Sequence, residues 1–159
     1  MRRSAPHRRW SRGLGLVAAA LCAASAWAQS EGGLYVAGAG STFQVAAQQA
    51  LAQNPGGRRF FVLALPPETV ALTTRASAAQ RTLRERVQAG NGVLFVCQRD
   101  VDNGRVARTL LAPGVVVVRG WPPGQAGELS DGRRALAGED PATLPASNEA
   151  LRRLRSSCS

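Results

Sequence analysis

The sequence predicts an α/β fold: a parallel sheet of about four strands in three layers, with helices on both faces. Short apolar segments alternate with longer amphipathic segments from residue 34 to residue 118, which is the element order of parallel α/β domains. The apolar segments are hydrophobic at consecutive positions, as expected for strands that are buried on both faces. Right-handed crossovers that cover both faces favour the strand order 2-1-3-4.

The first strand–helix unit spans residues 34–57. Leu34–Ala37 is a short apolar strand that leads into the glycine-containing turn Gly38–Thr42. Phe43–Gln53 is rich in alanine and glutamine, has apolar residues near helical spacing, and predicts a helix. The sequence Asn-Pro-Gly-Gly at 54–57 ends that helix.

A second unit repeats this order. Arg59–Leu65 contains a continuous apolar run and predicts a buried strand. Ala76–Ala89 predicts a second helix, with Leu83 and Val87 on its buried face and Arg84 on its exposed face.

The third and fourth strands are predicted at Val93–Cys97 and Val115–Val118. A third helix is predicted between them, at Gly104–Leu111. Pro113-Gly114 then turns the chain into the run of valines, which is the strongest strand signal in the sequence.

The composition changes after Gly120. Residues 121–145 are rich in glycine, proline and charge and predict a long surface segment. Ser147 is suited to cap a final helix, Asn148–Arg155. We therefore expect four parts: a signal peptide at 1–28, the α/β domain at 29–120, the irregular segment at 121–145, and a C-terminal helix and tail at 146–159.

The N-terminus has the pattern of a secretory signal peptide. Arginines crowd the first twelve residues without any acidic residue, and the apolar stretch Leu14–Ala24 is shorter than the roughly 20 residues that span a bilayer. Ala26-Trp27-Ala28 is a small-x-small cleavage site. We expect cleavage before Gln29, a periplasmic or secreted protein, and no membrane contact afterwards.

Composition excludes several classes of function. The net charge of +10 falls to +5 when five arginines leave with the signal, and the remaining arginines are scattered. With only 5% aromatic residues, the sequence predicts no nucleic-acid surface. His7 is the single histidine and lies in the signal, so Ser-His-Asp and Cys-His catalysis and most zinc sites are excluded. We expect no metal and no cofactor.

The turn after the first strand is one candidate binding site. Gly38-Ala39-Gly40 resembles the start of a dinucleotide-binding turn, but Phe43 stands where the third glycine belongs. A tight strand-to-helix turn is therefore the favoured interpretation. Its main-chain N–H groups, at Gly38, Gly40 and Ser41, are candidates to bind a small anion. The expected strand order places this turn beside Cys97 at the carboxyl edge of the sheet.

Cys97 is the candidate chemical centre, and three interpretations of it stay open. A cysteine that ends an apolar strand is often an inert part of the core. Alternatively, Arg99, Arg105 and the next helix lower the pKa of its thiol and make it reactive. In an oxidising compartment it could instead form a disulfide with Cys158, the other cysteine left after cleavage.

Asp100 and Asp102 lie in the sequence Asp-Val-Asp-Asn-Gly after the third strand. Two such carboxylates could act as acid and base or bind a hard cation. The segment lacks the spaced ligands and terminal glutamate of a calcium loop. An exposed turn that caps the third helix is therefore favoured.

Two segments carry a resemblance to a known family. Gly92–Cys97, and then Leu-Leu-Ala-Pro-Gly followed by four valines at 110–118, resemble the DsrE/DsrF-like family. The similarity covers about 34–120. It implies an α/β fold, a persulfide carried on the strand-end cysteine, here Cys97, and assembly as trimers or hexamers. The export signal and Gln98-Arg99-Asp100 after the cysteine depart from the family pattern.

Two functions follow as hypotheses. In the first, an exported DsrE-like domain handles a sulfur or redox species at Cys97, with a protein partner or a small sulfur species as its partner and a homo-oligomer as its assembly. Any enzymatic activity would then be that of a sulfur carrier or sulfurtransferase. In the alternative, the protein is a non-catalytic secreted interaction or structural module whose cysteine is buried or disulfide-bonded.

Overall fold

A computed structural model describes residues 31–124 and 134–159. The predicted signal peptide and its cleavage site lie outside the described residues. The strands are β1 Leu34–Ala37, β2 Phe60–Ala64, β3 Gly92–Cys97 and β4 Val115–Val118. The helices are α1 Phe43–Gln53, α2 Ala78–Ala89, α3 Gln98–Asp102 and α4 Asn148–Ser157.

The four strands are all parallel, which confirms the predicted α/β sheet, but they lie in the order β1-β2-β3-β4. The predicted order 2-1-3-4 is wrong. That order assumes that the crossovers between strands must cover both faces by themselves. Instead α1 and α2 pack on the same face, and α4, which follows the last strand, packs on the other. Because β2 lies between β1 and β3, the predicted meeting of the Gly38–Thr42 turn with Cys97 does not occur.

The face under α1 and α2 has an apolar core. Phe60 and Val62 of β2 lie there with Phe43 of α1 and Val87 of α2. All four side chains are fully buried. Burial of each such side chain contributes roughly 1.5–3 kcal/mol, so this face is held by apolar packing between elements that are neighbours in the sequence.

The face under α4 has a second apolar cluster. Phe61 and Phe95, from adjacent strands, stack with their ring centroids 6.0 Å apart. Leu144 and the α4 residues Leu151 and Leu154 complete the cluster. Residues that follow the last strand therefore close this face.

Side-chain caps start three of the helices. Thr42, Ser77 and Ser147 each accept, through the hydroxyl, a hydrogen bond from the main-chain N–H three residues further on. Such a cap contributes about 1 kcal/mol. The predicted cap at Ser147 is therefore present at the start of α4.

The third predicted helix, Gly104–Leu111, is wrong. The chain instead turns directly from β3 into the single-turn helix α3, and only a 3-10 turn forms later, at Arg108–Leu110. Gly104 has φ +70°, which ends the helical path. The N–H groups of Arg105 and Val106 both bond back to the Asp100 carbonyl.

Arg84 was predicted on the exposed face of α2, and this too is wrong, because it is buried. Its Nη1 donates to the carbonyl oxygens of Ala71 at 3.1 Å and Thr73 at 3.0 Å. A long stem within the protein and these two hydrogen bonds from Nη1 make such burial tolerable. Within 31–124 and 134–159, none of the helices is both long enough and apolar enough to cross a bilayer.

Candidate functional site

Cys97 lies at the carboxyl end of β3, where the sequence placed it, and is joined to Cys158 by a disulfide. The S–S distance is 2.05 Å and the Cα atoms are 5.1 Å apart. Cys97 is 0% exposed and Cys158 3% exposed. In this structure Cys97 therefore has neither a free thiol nor a path to solvent. The interpretation as a reactive thiol does not describe this state of the protein.

Arg99 and Arg105, the residues predicted to stabilise a thiolate or an anion, have other partners. Arg99 Nη2 donates to the Ser157 carbonyl oxygen at 2.8 Å. A cation there complements the negative carboxyl end of α4. Arg105 Nη1 lies 3.6 Å from Asp100 Oδ1. Arg105 thus links α3 to the loop that follows it, and Arg99 links α3 to the carboxyl end of α4.

Asp100 was predicted in an exposed turn, and this is wrong: the residue is fully buried within α3. Its carboxylate makes only long ion pairs, with Arg99 Nε at 3.9 Å and with Arg105, and neither oxygen has a hydrogen-bond partner among the described residues. Asp102 is exposed and accepts a hydrogen bond from Gln98 Nε2 at 2.7 Å. The two carboxylates therefore have different environments and do not form an acid–base pair.

The Gly38–Thr42 turn engages its own donors. Gly38 N–H donates to the Ser41 carbonyl at 2.7 Å, and Ser41 N–H donates back to Gly38 at 3.1 Å. Residues 38–40 all have positive φ, with Gly40 at +97°, a conformation that favours glycine. This tight turn is not a ready anion cradle, because two of the three candidate N–H groups already have partners.

A carboxylate of the protein occupies the start of α1. Glu68 Oε2 accepts from the Phe43 N–H at 2.8 Å, where the helix dipole favours negative charge. An external anion at the start of α1 would have to displace the Glu68 carboxylate, which would otherwise repel it. The anion site predicted at Gly38, Gly40 and Ser41 therefore has no support in the geometry.

Sequence reasoning missed a buried ion pair on the α4 face. Arg155 is 0% exposed, and its Nη1 and Nη2 lie 3.1 and 2.8 Å from the two carboxylate oxygens of Glu139. Arg155 also donates to the carbonyls of Arg119 and Arg134. Burial acts to raise the pKa of Glu139, but hydrogen bonds from Arg155, Leu136 and Arg119 outweigh burial and hold it below its ordinary value.

The carboxyl end of α4 also contacts the exit from β4. Trp121 Nε1 donates to Ser156 Oγ at 3.0 Å, and its N–H donates to Ser159 Oγ at 2.9 Å. At Gly120 a Cβ atom would lie 2.3 Å from the Cys158 carbonyl oxygen. Only glycine permits this close approach of the two main chains. The sequence did not reveal this role of Gly120.

Two surface clefts lie away from the disulfide. The first, of about 660 Å³, runs between α1 and α2 and is lined mainly by polar side chains, among them Gln44, Gln48, Glu68 and Arg86. The second, of about 420 Å³, follows β1. Neither is lined by a cysteine. Among the described residues no group of three or more histidine, cysteine or acidic side chains is placed to hold a metal ion.

Comparisons with protein family models, with curated proteins and with solved structures find no match to this chain. The resemblance to the DsrE/DsrF-like family therefore stays a prediction.

Proposed function

We propose that this protein is an exported, non-catalytic binding domain in which Cys97 has a structural role. One observation carries the proposal: the Cys97 sulfur is bonded to Cys158 and fully buried where α4 meets the sheet. A nucleophile or sulfur carrier needs an accessible thiolate. The geometry supports the second of the two hypotheses drawn from the sequence.

The disulfide has a clear stabilising role. α4 has ten residues, which is too short for a helix to persist in water without packing. The bond joins it to β3 across a sequence separation of 61 residues, and in the chain-entropy account a loop of that length gives about 4 kcal/mol. We infer that α4 forms the third layer of the domain and that the disulfide holds it there.

The proposed location follows from the same bond. Disulfides persist in the periplasm and outside the cell and are rare in a reducing cytosol. The signal-like pattern of residues 1–28 supports the same compartment. We therefore place the protein in the periplasm or among secreted proteins.

Sulfur handling would need a different state of the protein. The disulfide would have to be reduced, and α4 would have to move, before Cys97 could meet a substrate. Arg99 would also have to leave the Ser157 carbonyl, to which it donates at 2.8 Å. The persulfide chemistry implied by the DsrE/DsrF-like resemblance, and the oligomers that accompany it, stay predictions for such a reduced form.

An alkylation experiment tests the proposal. The protein is purified without reductant, treated with iodoacetamide in the native state, and its intact mass is measured. We expect the mass of the disulfide form, with no alkyl group on Cys97 until the protein is both reduced and unfolded. An extra sulfur atom, or alkylation of Cys97 in the native protein, would contradict the proposal.

The variant Cys158→Ser, with Cys97→Ser as its matched control, sharpens the test. In Cys158→Ser the remaining Cys97 thiol is expected to react slowly, with a pH midpoint at or above about 8.5, since burial among apolar side chains disfavours the thiolate. A midpoint well below that of an ordinary thiol would instead support sulfur or redox chemistry.

A further inference from the structure

β1 lies at one edge of the sheet, and among the described residues it pairs only with β2. The bonds on that side show which main-chain groups are used. Phe61 N–H donates to the Gly33 carbonyl at 3.2 Å, and Leu65 N–H donates to Ala37 at 2.9 Å. Because main-chain groups alternate in direction along a strand, the N–H and C=O groups of Leu34 and Val36 face the opposite side.

The far side of β1 borders the cleft of about 420 Å³. Gln49 and Gln53 of α1 line one wall, and Arg153 of α4 lines the other. At the end of the strand, Gly38 N–H is already bonded to Ser41. The open stretch is therefore short and bounded: Leu34 is 4% exposed and Val36 is half-buried, so Val36 is the more accessible of the two.

β1 has only four residues, a length that itself limits pairing, but it lacks the charged and proline residues that protect many edge strands. Its sequence, Leu-Tyr-Val-Ala, contains no charged residue and no proline. The opposite edge is partly engaged by the chain: Val115 N–H donates to the Ala112 carbonyl at 3.2 Å and Arg119 N–H donates to Glu139 Oε1 at 2.8 Å, beside a cleft of about 430 Å³ that β4 lines. No described residue bonds in this way to the outward main-chain groups of Leu34 and Val36 in β1.

The charge at the open edge indicates the kind of partner. Arg152 and Arg155 pair with Glu149 and Glu139. The Arg153 side chain is exposed beside β1 and makes no hydrogen bond or ion pair with any described residue. In a symmetric pairing of β1 with a second copy, two Arg153 side chains would approach each other, and like charges oppose such an interface. An acidic partner suits this edge better than a second copy.

We infer that the β1 edge binds an extended, acidic segment of a partner protein as an added strand. Main-chain bonds to Leu34 and Val36 would hold the segment in register, and a carboxylate on it would pair with Arg153. This inference rests on the proposed function, because it names the ligand class and surface of a non-catalytic binding domain.

A displayed library of random peptides, panned against the oxidised protein, tests the inference. We expect enriched peptides to carry an acidic residue within an extended, β-branched sequence. Their binding should slow amide hydrogen exchange most at Val36, the more exposed of the two outward residues, while exchange at Val62 and Leu63 in β2 stays as slow as before.

Two pairs of variants locate the binding site. Val36→Pro removes an outward N–H without breaking the ladder to β2, and should weaken peptide binding about tenfold. Its control is Val117→Pro in β4. Val115 N–H donates to the Ala112 carbonyl and Arg119 N–H donates to Glu139, so the N–H of residue 117, between them, also faces away from β3.

Arg153→Glu should weaken binding about fivefold to tenfold, whereas Arg152→Glu, on the neighbouring exposed arginine, should change it less than twofold.

Three results would overturn the inference. These are a panning that enriches no acidic peptide, binding that Arg153→Glu leaves unchanged, and a dimer in sedimentation that Val36→Pro dissociates, which would identify a second copy as the occupant. Arg153→Glu changes an exposed side chain, so it remains informative if Val36→Pro does not fold. Peptide binding is measured without reference to the cysteines. If no peptide binds and Cys97 is still unreactive, the β1 edge is excluded as a binding surface, but the structural role of Cys97 is not contradicted.

Discussion

The two faces of the sheet are closed by different means. Under α1 and α2 an apolar cluster joins elements that follow one another in the sequence, and the buried Arg84 of α2 adds hydrogen bonds to two carbonyls. Under α4 the apolar cluster is supplemented by a disulfide, by the buried Arg155–Glu139 pair and by Arg99. The comparison indicates that a short helix far along the chain needs links of fixed geometry to stay on the sheet. The helices that connect consecutive strands cover only the opposite face. Loss of such a link should release α4, whereas loss of a contact on the other face should weaken the whole domain.

Removal of the disulfide should have the largest effect. The double variant Cys97→Ala, Cys158→Ala is expected to lose about 4 kcal/mol of unfolding free energy, because the unfolded chain regains the entropy of the closed loop. Urea unfolding followed by circular dichroism measures this, and hydrogen exchange should show α4 amides opening before those of α1. Equal loss of protection in both helices would contradict the difference between the faces.

The buried ion pair should come next. Arg155→Ala leaves Glu139 buried without its partner and should cost about 3 kcal/mol. Arg152→Ala is the matched control, because Arg152 is exposed and its pair with Glu149 has an N–O distance of 3.5 Å, so a change of less than about 0.5 kcal/mol is expected. If the two variants have similar stability in urea, the pair does not hold α4.

The same pair makes the α4 face sensitive to acid. The pKa of Glu139 in the folded protein lies below its ordinary value of 4.5, so its contribution is complete above the pKa of the unfolded chain. That contribution is lost as the pH falls through the lower, folded pKa. We expect the unfolding free energy to fall below about pH 4.5, and Glu139→Gln to flatten that decline. An unchanged slope in Glu139→Gln would mean that other carboxylates control acid unfolding.

A core substitution on the other face should have a smaller but global effect. Leu83→Ala in α2, where the side chain is 8% exposed, should cost about 2 kcal/mol through lost burial and a partial cavity. Hydrogen exchange should accelerate across the sheet and in all helices together. Val45→Ala, at a position 55% exposed, is the control and should have little effect. Selective opening of α4 in Leu83→Ala would contradict the proposed division.

Loss of a helix cap should have the smallest effect. Ser77→Ala removes the hydroxyl that accepts from Gln80 N–H at 3.2 Å and should cost about 1 kcal/mol. Ser147→Ala makes the same change at the start of α4. If the α4 face depends on fixed links, Ser147→Ala should raise exchange in α4 alone, while Ser77→Ala lowers the stability of the whole domain.

These differences also explain which features could be read from the sequence. The strands, α1 and α2 were predicted because their signals are local: apolar runs, helical spacing and the glycine or proline residues that end each element. The order of the strands in the sheet was not predicted correctly, because it depends on which segment covers the second face of the sheet. That segment, α4, follows residues 121–145, which predict an irregular segment, and its own sequence does not indicate which face of the sheet it covers.

The candidate site was predicted only in its parts. Cys97 does end β3, but its pairing with Cys158 is a matter of distance in space, which a separation of 61 residues does not reveal. The Gly38 turn and Cys97 were expected to meet, and β2 separates them. Arg84 and Arg155 were missed because an arginine can be buried when carbonyls and a carboxylate receive its N–H groups, and those acceptors come from distant segments.

The position of α4 after every strand has a consequence for how the chain matures. Synthesis proceeds from the N-terminus, so β1 to β4 emerge while the partner of one face is still missing. During that interval Phe61, Phe95 and the reduced Cys97 lack the cover that α4 later provides. Until the Cys97–Cys158 bond closes, this apolar surface and the free thiol therefore stay exposed, and the bond marks the point at which that exposure ends.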